Sequence, residues 1–193
     1  IYMSDNGPWL NYGNHAGSVG PLREGKGTTF EGGVRVPCLM RFPSRVPASR
    51  VSETPWMTID VLPTVAQLIG AELPTLEIDG ANAWDLWMGG DESPQDAYFF
   101  YYHTNNLEAV RSGKWKLHFP HGYRSMAGQT PGADGSPGKY DYGAKTALAL
   151  FDLEEDIGEA NDVAAANPEV VARLSRLGDE MRAKLGDKLT EVV

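Results

Sequence analysis

Two short patterns near the N-terminus carry residue types that chemistry uses. Asp5 and Asn6 are adjacent hard oxygen donors; they follow the apolar Ile1-Tyr2-Met3, which reads as the end of a strand, and precede Gly7-Pro8. A carboxylate and a side-chain amide oxygen at the carboxyl end of a strand suit calcium or magnesium. The same Asp-Asn-Gly-Pro run also makes an ordinary turn. Lys26 stands between Gly25 and Gly27. Flanking glycines let backbone approach closely and leave an ammonium free to reach an anion, or they simply make a flexible exposed loop. Residue chemistry alone leaves both alternatives open at each position.

Other combinations imitate known sites and fail at a defining position. Gly20-Pro-Leu-Arg-Glu-Gly25-Lys26 fits the start of a phosphate loop, but Gly27 stands where Ser or Thr must hold magnesium, and a polar loop precedes it where a strand is needed. Asp152, Glu154 and Asp156 are spaced like the start of a calcium-binding EF loop, yet Ile157 occupies the position that requires Gly. These acids read as a turn at the end of a strand. Cys38, in an apolar run, reads as a small buried hydrophobe. His118, between Leu117 and Phe119, reads as a strand histidine with a satisfied hydrogen bond.

The elements that must position these residues are legible in outline. Residues 4 to 33 are dense in Gly, Asn, Ser and Thr and lack hydrophobic periodicity, as a functional loop does. Val34 to Phe42 is a β-rich apolar run interrupted by Pro37, consistent with a short buried or edge strand. From Asp60 the pattern turns helical, with Asp60 as cap, Pro63 in the first turn, Leu62, Ala66 and Ile69 on one face, and Gly70 as the stop. Residues 71 to 96 are a connector rich in Pro, Gly and Asp. Strands are expected at Ala97–Tyr102, Glu108–Arg111, Lys114–Phe119 and Ala149–Leu153, forming a small antiparallel sheet. Between the third and fourth lies Pro120 to Lys145, a loop with six glycines, too long for a hairpin turn. Asn167 and Pro168 open a helix over 168–188 on which Val171, Leu174, Leu177, Met181 and Leu185 repeat at helical spacing. It is long enough to cover one face of that sheet. The domains are therefore expected to be 1–95 and 96–193, and no internal repeat is visible.

Composition narrows the class. The 193 residues are 41% hydrophobic and 22% charged, ordinary globular usage that argues against disorder or coiled coil. Seventeen Lys and Arg against 26 Asp and Glu give a formal charge of −9, so neither nucleic acid nor an anionic membrane is an expected partner. No apolar run approaches the roughly 20 residues of a membrane helix. The single cysteine excludes an intrachain disulfide. Because the chain opens on Ile1 at what reads as a strand end, it is expected to be a C-terminal piece of something longer.

Read in order, the pieces form a longer pattern. Ser4-Asp5-Asn6-Gly7, a Gly-rich spacer, Pro21-Leu22-Arg23-x-Gly25-Lys26-Gly27-Thr28-Thr29-Phe30-Glu31-Gly32-Gly33-Val34-Arg35-Val36-Pro37 and Ile59-Asp60-Val61-Leu62-Pro63-Thr64 closely resemble the C-terminal part of the formylglycine-dependent sulfatases. Arg111-Ser-Gly-Lys-Trp-Lys-Leu and Leu150-Phe-Asp-Leu-x-x-Asp156-x-Gly-Glu159 look like the small C-terminal subdomain of that family. The resemblance spans residues 1 to about 165. Tyr98–Tyr102, followed by Ala109-Val-Arg-Ser-Gly-Lys-Trp-Lys-Leu-His118-Phe, looks most like the arylsulfatase A type.

The resemblance implies an α/β, alkaline-phosphatase-like fold: the C-terminal part of the large domain, then a small antiparallel α+β subdomain. It implies hydrolysis of an organic sulfate ester, aryl or carbohydrate, with calcium (or magnesium) at the strand ends. Asp5 and Asn6 match the family's second pair of metal ligands, and Lys26 matches the lysine that contacts sulfate. His15 is expected to touch substrate, with an exposed loop histidine as the alternative. Arg23 is expected to pair with sulfate or to brace the loop through a carboxylate. His103 and the 120–145 loop are expected to rim the pocket and select the organic group. The family's nucleophile, a formylglycine made within Cys/Ser-x-Pro-x-Arg, has no counterpart in this sequence, and Cys38 cannot substitute because Met40 stands where Pro is required. The chain alone is therefore expected to be inactive. Expected partners are a sulfated small molecule or glycan, a missing N-terminal half, or a second copy paired edge to edge. The family implies a periplasmic or extracellular location, lysosomal in a eukaryote. The alternatives are a non-catalytic truncated remnant and a phosphodiesterase or phosphatase of the same superfamily.

Overall fold

The structure, a computed structural model, describes residues 1–188. Its strands are β1 (Tyr2–Met3), β2 (Cys38–Leu39), β3 (Tyr98–Tyr102), β4 (Asn106–Ser112), β5 (Trp115–His118), β6 (His121–Gly122), β7 (Lys145–Thr146) and β8 (Ala149–Asp152). Its α-helices are α1 (Glu31–Val34), α2 (Val61–Ile69), α3 (Trp84–Trp87) and α4 (Pro168–Leu185). They fall into two compact units, one of residues 1–2 and 38–96, the other of residues 3–37 and 97 onward. The glycine-rich stretch 3–37 thus groups with the C-terminal sheet and not with the residues that follow it.

In the first unit β2 pairs with β1. The run from Val34 to Phe42 gives a strand only at Cys38–Leu39, because Val34 closes α1 and Pro37 has no N–H to offer a ladder. Helix α2 starts and stops where the sequence indicates, and Gly70, at φ +67°, ends it in the left-handed conformation. Two expectations fail here. Asp60 does not cap α2; its buried carboxylate accepts the N–H groups of Met57 and Ala81 and the Gln95 side-chain amide at 2.7–2.8 Å. Leu62 and Ile69 are exposed, while Pro63, Thr64 and Ala66 are buried, because Thr64 bonds Asp60 O and accepts Ala83 N–H and so turns that side inward. Ala83, Leu86 and Trp87 form this unit's core, with Trp56 edge-on to Trp87.

The second unit is built on an antiparallel sheet of order β3-β4-β5-β8. The register shifts between Phe100 and Tyr101, where Glu108 forms a bulge. Such a bulge reverses the alternation of side chains, so Leu107 and Val110 share one face with Leu117 and Leu150. Helix α4 covers that face, placing Leu174 with Val170, Val171 and Leu177 against the cluster. The helix ends at Leu185 and not 188, since Gly186 at φ +73° leaves the helical region. Asn167 sits at the cap position but makes no side-chain cap bond; its amide donates to Val163 O at 2.9 Å. On the opposite face the strands alternate to Ala109, Lys116, His118, Ala149 and Phe151, and Phe30 packs with Ala149 and Phe151. The glycine-rich segment therefore lies where solvent is ordinarily found on a four-stranded sheet.

Candidate active site

Three backbone segments of the second unit interlock. Gly7 N–H donates to Gly33 O at 3.0 Å, Lys26 N–H to Pro8 O at 2.9 Å, and Gly32 N–H to Arg23 O at 2.8 Å. A Cβ on Gly32 would lie 2.0 Å from Glu24 O and 2.4 Å from Arg23 O, so the chains approach only because that carbon is absent. This is the physical content of the spacing Gly7, Gly25, Gly32. It places the Asp5-Asn6 bend and Lys26 on neighbouring segments. Asp5 is exposed and Asn6 half-buried, and Ser4 Oγ donates to Asn6 O at 2.9 Å, fixing the bend.

Lys26 is half-buried, its ammonium 5.1 Å from the centre of the Trp9 ring. Its carbonyl accepts both Nε, at 2.9 Å, and Nη2 of Arg124. Gly27, at φ +86°, makes room for that guanidinium, since a Cβ there would stand 2.0 Å from Arg124 Nη2. Arg124 in turn lies over Tyr140, 4.9 Å from its centroid. A second latch joins the same segments: Ser125 Oγ donates to Glu24 Oε1 at 2.5 Å, and Met126 N–H reaches Glu24 Oε2 at 3.3 Å. The 120–145 loop is thus anchored to the Lys26 loop, and it also grips the 3₁₀ turn at Leu10–His15, where Gly132 and Gly138 N–H donate to Asn11 O at 2.8 and 2.7 Å.

Of the residues proposed from sequence to meet substrate, only Arg23 has its side chain tied to protein groups on both sides. Its guanidinium donates to Glu159 O at 2.8 Å and Tyr123 OH at 3.0 Å and lies 4.0 Å from the Phe30 ring centre. It braces the loop through a carbonyl, not a carboxylate. His15 is exposed at the end of the 3₁₀ turn. His103 is exposed on the β3–β4 turn, where His103, Thr104 and Asn105 all take positive φ, 47°, 57° and 60°. Its ring meets Tyr102, and among the described residues no hydrogen bond, ion pair or ring contact joins it to Lys26 or His15. Asp152 pairs with Lys114 at 2.6 Å and Asp156 accepts two N–H groups of its own turn, which is the turn chemistry expected of that acidic run.

Beneath the site is a buried ionic cluster that sequence reasoning missed. Lys116, fully buried, lies 2.8 Å from Glu31 Oε1 and 3.1 Å from Glu159 Oε1; Arg111 reaches Glu31 Oε2 at 3.2 Å. Glu159 also accepts Glu31 N–H at 2.6 Å and His118 Nε2–H at 2.9 Å. Burial alone would raise the Glu159 carboxyl, but Lys116, the His118 hydrogen bond and the Glu31 N–H outweigh it and hold the pKa at about 2. Burial dominates at His118, whose pKa falls to about 4 despite the Glu159 bond. The imidazole is therefore neutral at pH 7, stacked 4.5 Å from Phe30. The reading of His118 as a strand histidine with a satisfied hydrogen bond holds, and its partner is the Glu159 carboxylate.

Comparison with known proteins bears on the family and the fold. A family model described as the C-terminal region of aryl-sulfatase matches residues 93–192, and one described as N-sulphoglucosamine sulphohydrolase, C-terminal, matches residues 25–119. Human arylsulfatase A is 37% identical over 185 residues, covering 92% of this chain and 36% of its own length. Dog N-acetylgalactosamine-6-sulfatase is 34% identical, covering 92% of this chain and 35% of its own. The crystal structure of the PsFucS1 sulfatase from Pseudoalteromonas sp. superposes with a TM-score of 0.75 at 23% identity, over 99% of this chain and 38% of that one. The chain spans about a third of the length of these curated relatives. With the interlocked loop, the antiparallel sheet and its covering helix all in place, the chain belongs to the sulfatase family and holds the C-terminal part of its alkaline-phosphatase-like fold.

Proposed function

We propose that this chain is the C-terminal part of an enzyme that hydrolyses organic sulfate esters, aryl or carbohydrate, releasing the alcohol and inorganic sulfate. The observation that supports the reading is the pair of backbone hydrogen bonds, Lys26 N–H to Pro8 O and Gly7 N–H to Gly33 O, which hold the Lys26 backbone on the segment next to the Asp5-Asn6 bend. Sulfate ester cleavage puts negative charge on non-bridging and leaving oxygens, and a fixed ammonium aimed there lowers the barrier. Lys26 is that ammonium in this reading.

The donor types of Asp5 and Asn6 fit calcium, which takes roughly six to eight oxygens. They supply only part of such a shell; among the described residues no group of three or more His, Cys, Asp or Glu could complete it. When bound, the cation would add positive charge at the sulfate. The nucleophile motif is absent from the 193 residues, so the chain by itself is inactive in this reading and depends on the rest of the enzyme. His15 and His103 are exposed and are proposed to meet the organic group; Arg23, held by Glu159 and Tyr123, is proposed to set the loop's shape. Export or delivery to the lysosome fits the relatives named above; no helix among the described residues is long and apolar enough to cross a membrane.

The test is kinetic, in the full-length protein that carries this chain. Lys26→Ala is expected to lower kcat/KM on a sulfate ester by about 10²–10³-fold, the loss typical of one oxyanion donor. A change under about twofold would remove Lys26 from the mechanism.

A further inference from the structure

Asn6 and Gly7 form the one Asn-Gly pair in the 193 residues, the dipeptide in which a backbone nitrogen most readily attacks the preceding side-chain amide. Packing forces the pair here. Gly7 is buried, and a Cβ on it would stand 1.8 Å from Gly32 O and 3.0 Å from Gly33 Cα, so no other residue fits after Asn6. The peptide plane between the two is held at both polar ends: Ser4 Oγ donates to Asn6 O at 2.9 Å, and Gly7 N–H donates to Gly33 O at 3.0 Å. Gly33 is fixed in turn, since its own N–H donates to Phe30 O at 2.8 Å and a Cβ on it would lie 2.2 Å from Thr28 O. The nitrogen that would attack is thus the one the glycine interlock engages, while Asn6 itself is only half-buried.

We infer that Asn6 is a deamidation site that the interlock holds in check, so that opening of the interlock marks the chain irreversibly. In the reaction Gly7 N bonds to Asn6 Cγ, the Cγ–Nδ2 bond breaks, and that nitrogen leaves as ammonia with the Gly7 proton, closing a succinimide. Water then opens the ring at Cγ to give aspartate, or at the Asn6 main-chain carbonyl to give isoaspartate. Closure needs the Gly7 nitrogen stripped of its proton and turned toward Cγ. Gly33 O holds the proton, and the Ser4 hydroxyl holds the plane against turning. Both products add a negative charge beside Asp5, and isoaspartate adds a methylene to the backbone ahead of Gly7, where Gly32 O leaves no room. The segment so displaced carries Pro8 O, which accepts Lys26 N–H, and the mark therefore reaches the Lys26 turn. It does so whatever ester the enzyme takes.

The experiment follows residue 6 by peptide mass mapping in the full-length protein that carries this chain, at mildly alkaline pH, in native buffer and in urea. EDTA is present throughout, so that no metal on Asn6 supplies the protection. Deamidation is expected to be at least about tenfold slower in native buffer than in urea. Gly32→Ala, whose Cβ would stand 2.0 Å from Glu24 O, wedges the interlock and is expected to speed the native-buffer reaction at least about fivefold while leaving the urea rate unchanged. Ser4→Ala frees the plane at one end without adding an atom, is expected to speed the native-buffer reaction about threefold, and decides the matter where Gly32→Ala does not fold. A native-buffer rate within about twofold of the urea rate would overturn the inference, as would folded variants that react no faster than the unsubstituted protein.

Discussion

Acid should unfold this chain in two steps that His118 and Glu159 set. The native His118 pKa is about 4 against an ordinary 6.5, so between those values the unfolded chain binds a proton that the native chain refuses. Stability is full above pH 6.5 and falls as pH drops toward 4, at about 1.4 kcal/mol per pH unit, a loss of about 3 kcal/mol from this residue. His121, likewise lowered by burial, adds loss of the same sign. Glu159 acts in a lower window: its native pKa is about 2 against 4.5, so its contribution is present above 4.5 and is lost as pH falls toward 2. The assay is urea unfolding followed by tryptophan fluorescence at half-unit steps from pH 7.5 to 4.5. His118→Gln keeps a donor toward Glu159 without a titrating ring, and should flatten the slope between pH 6.5 and 4.5 by one proton. An unfolding free energy that is level across this range, or a slope unchanged in His118→Gln, would refute a neutral buried imidazole.

Two further perturbations probe the chain that links this cluster to the site. Lys116→Met leaves Glu31 and Glu159 buried without their shared cation, and should cost about 3–5 kcal/mol by chemical denaturation; a loss below about 1 kcal/mol would show that water reaches the carboxylates. Arg124→Ala removes both hydrogen bonds to Lys26 O, and should lower kcat/KM of the full-length enzyme about tenfold while leaving the melting temperature within a few degrees. In a Lys26→Ala background the same substitution should have no further effect; additive losses would mean that Arg124 does not act through Lys26.

The sequence displayed the elements better than their environments. Strand alternation and the 168-onward helix were legible because each follows from a local period, and the helix face of Leu174 and Leu177 packs as its spacing requires. The glycines around Lys26 were legible as unusual, but two meanings were open, and only the approach of Gly32 to Glu24 O and of Gly27 to Arg124 distinguishes an interlock from a flexible loop. Arg124 was invisible because its partner is a carbonyl 98 residues away, and no pattern of side chains records a bond to backbone. His118 was legible as a strand histidine with a hydrogen-bond partner, but strand alternation does not tell that the partner is Glu159 or that Lys116 is buried beside it. Leu62 and Ile69 failed in the opposite sense, being apolar at helical spacing yet exposed, because Asp60 and Thr64 decide which side of α2 turns inward.

The buried charges explain why residues 3–37 belong to the C-terminal unit at all. A four-stranded sheet with one helix leaves a face open, and the ordinary solution is either water or a second apolar layer. Here that face carries Lys116 and His118, which share the Glu159 carboxylate, and a wholly apolar cover would leave Lys116 without the second carboxylate it now meets. A segment that brings a further carboxylate fits that face, and Glu31, one residue after Phe30, does so while its own N–H is taken by Glu159. Apolar packing of Phe30 on Ala149 and Phe151 would tolerate sliding; the Glu31–Lys116–Glu159 contacts do not, because a shift of one residue points Glu31 away from the sheet. Fixing Glu31 fixes Gly32 against Arg23 and Glu24, and through them the turn that carries Lys26. The small sheet thus helps to set where the Lys26 turn stands, through a carboxylate five residues further along the chain.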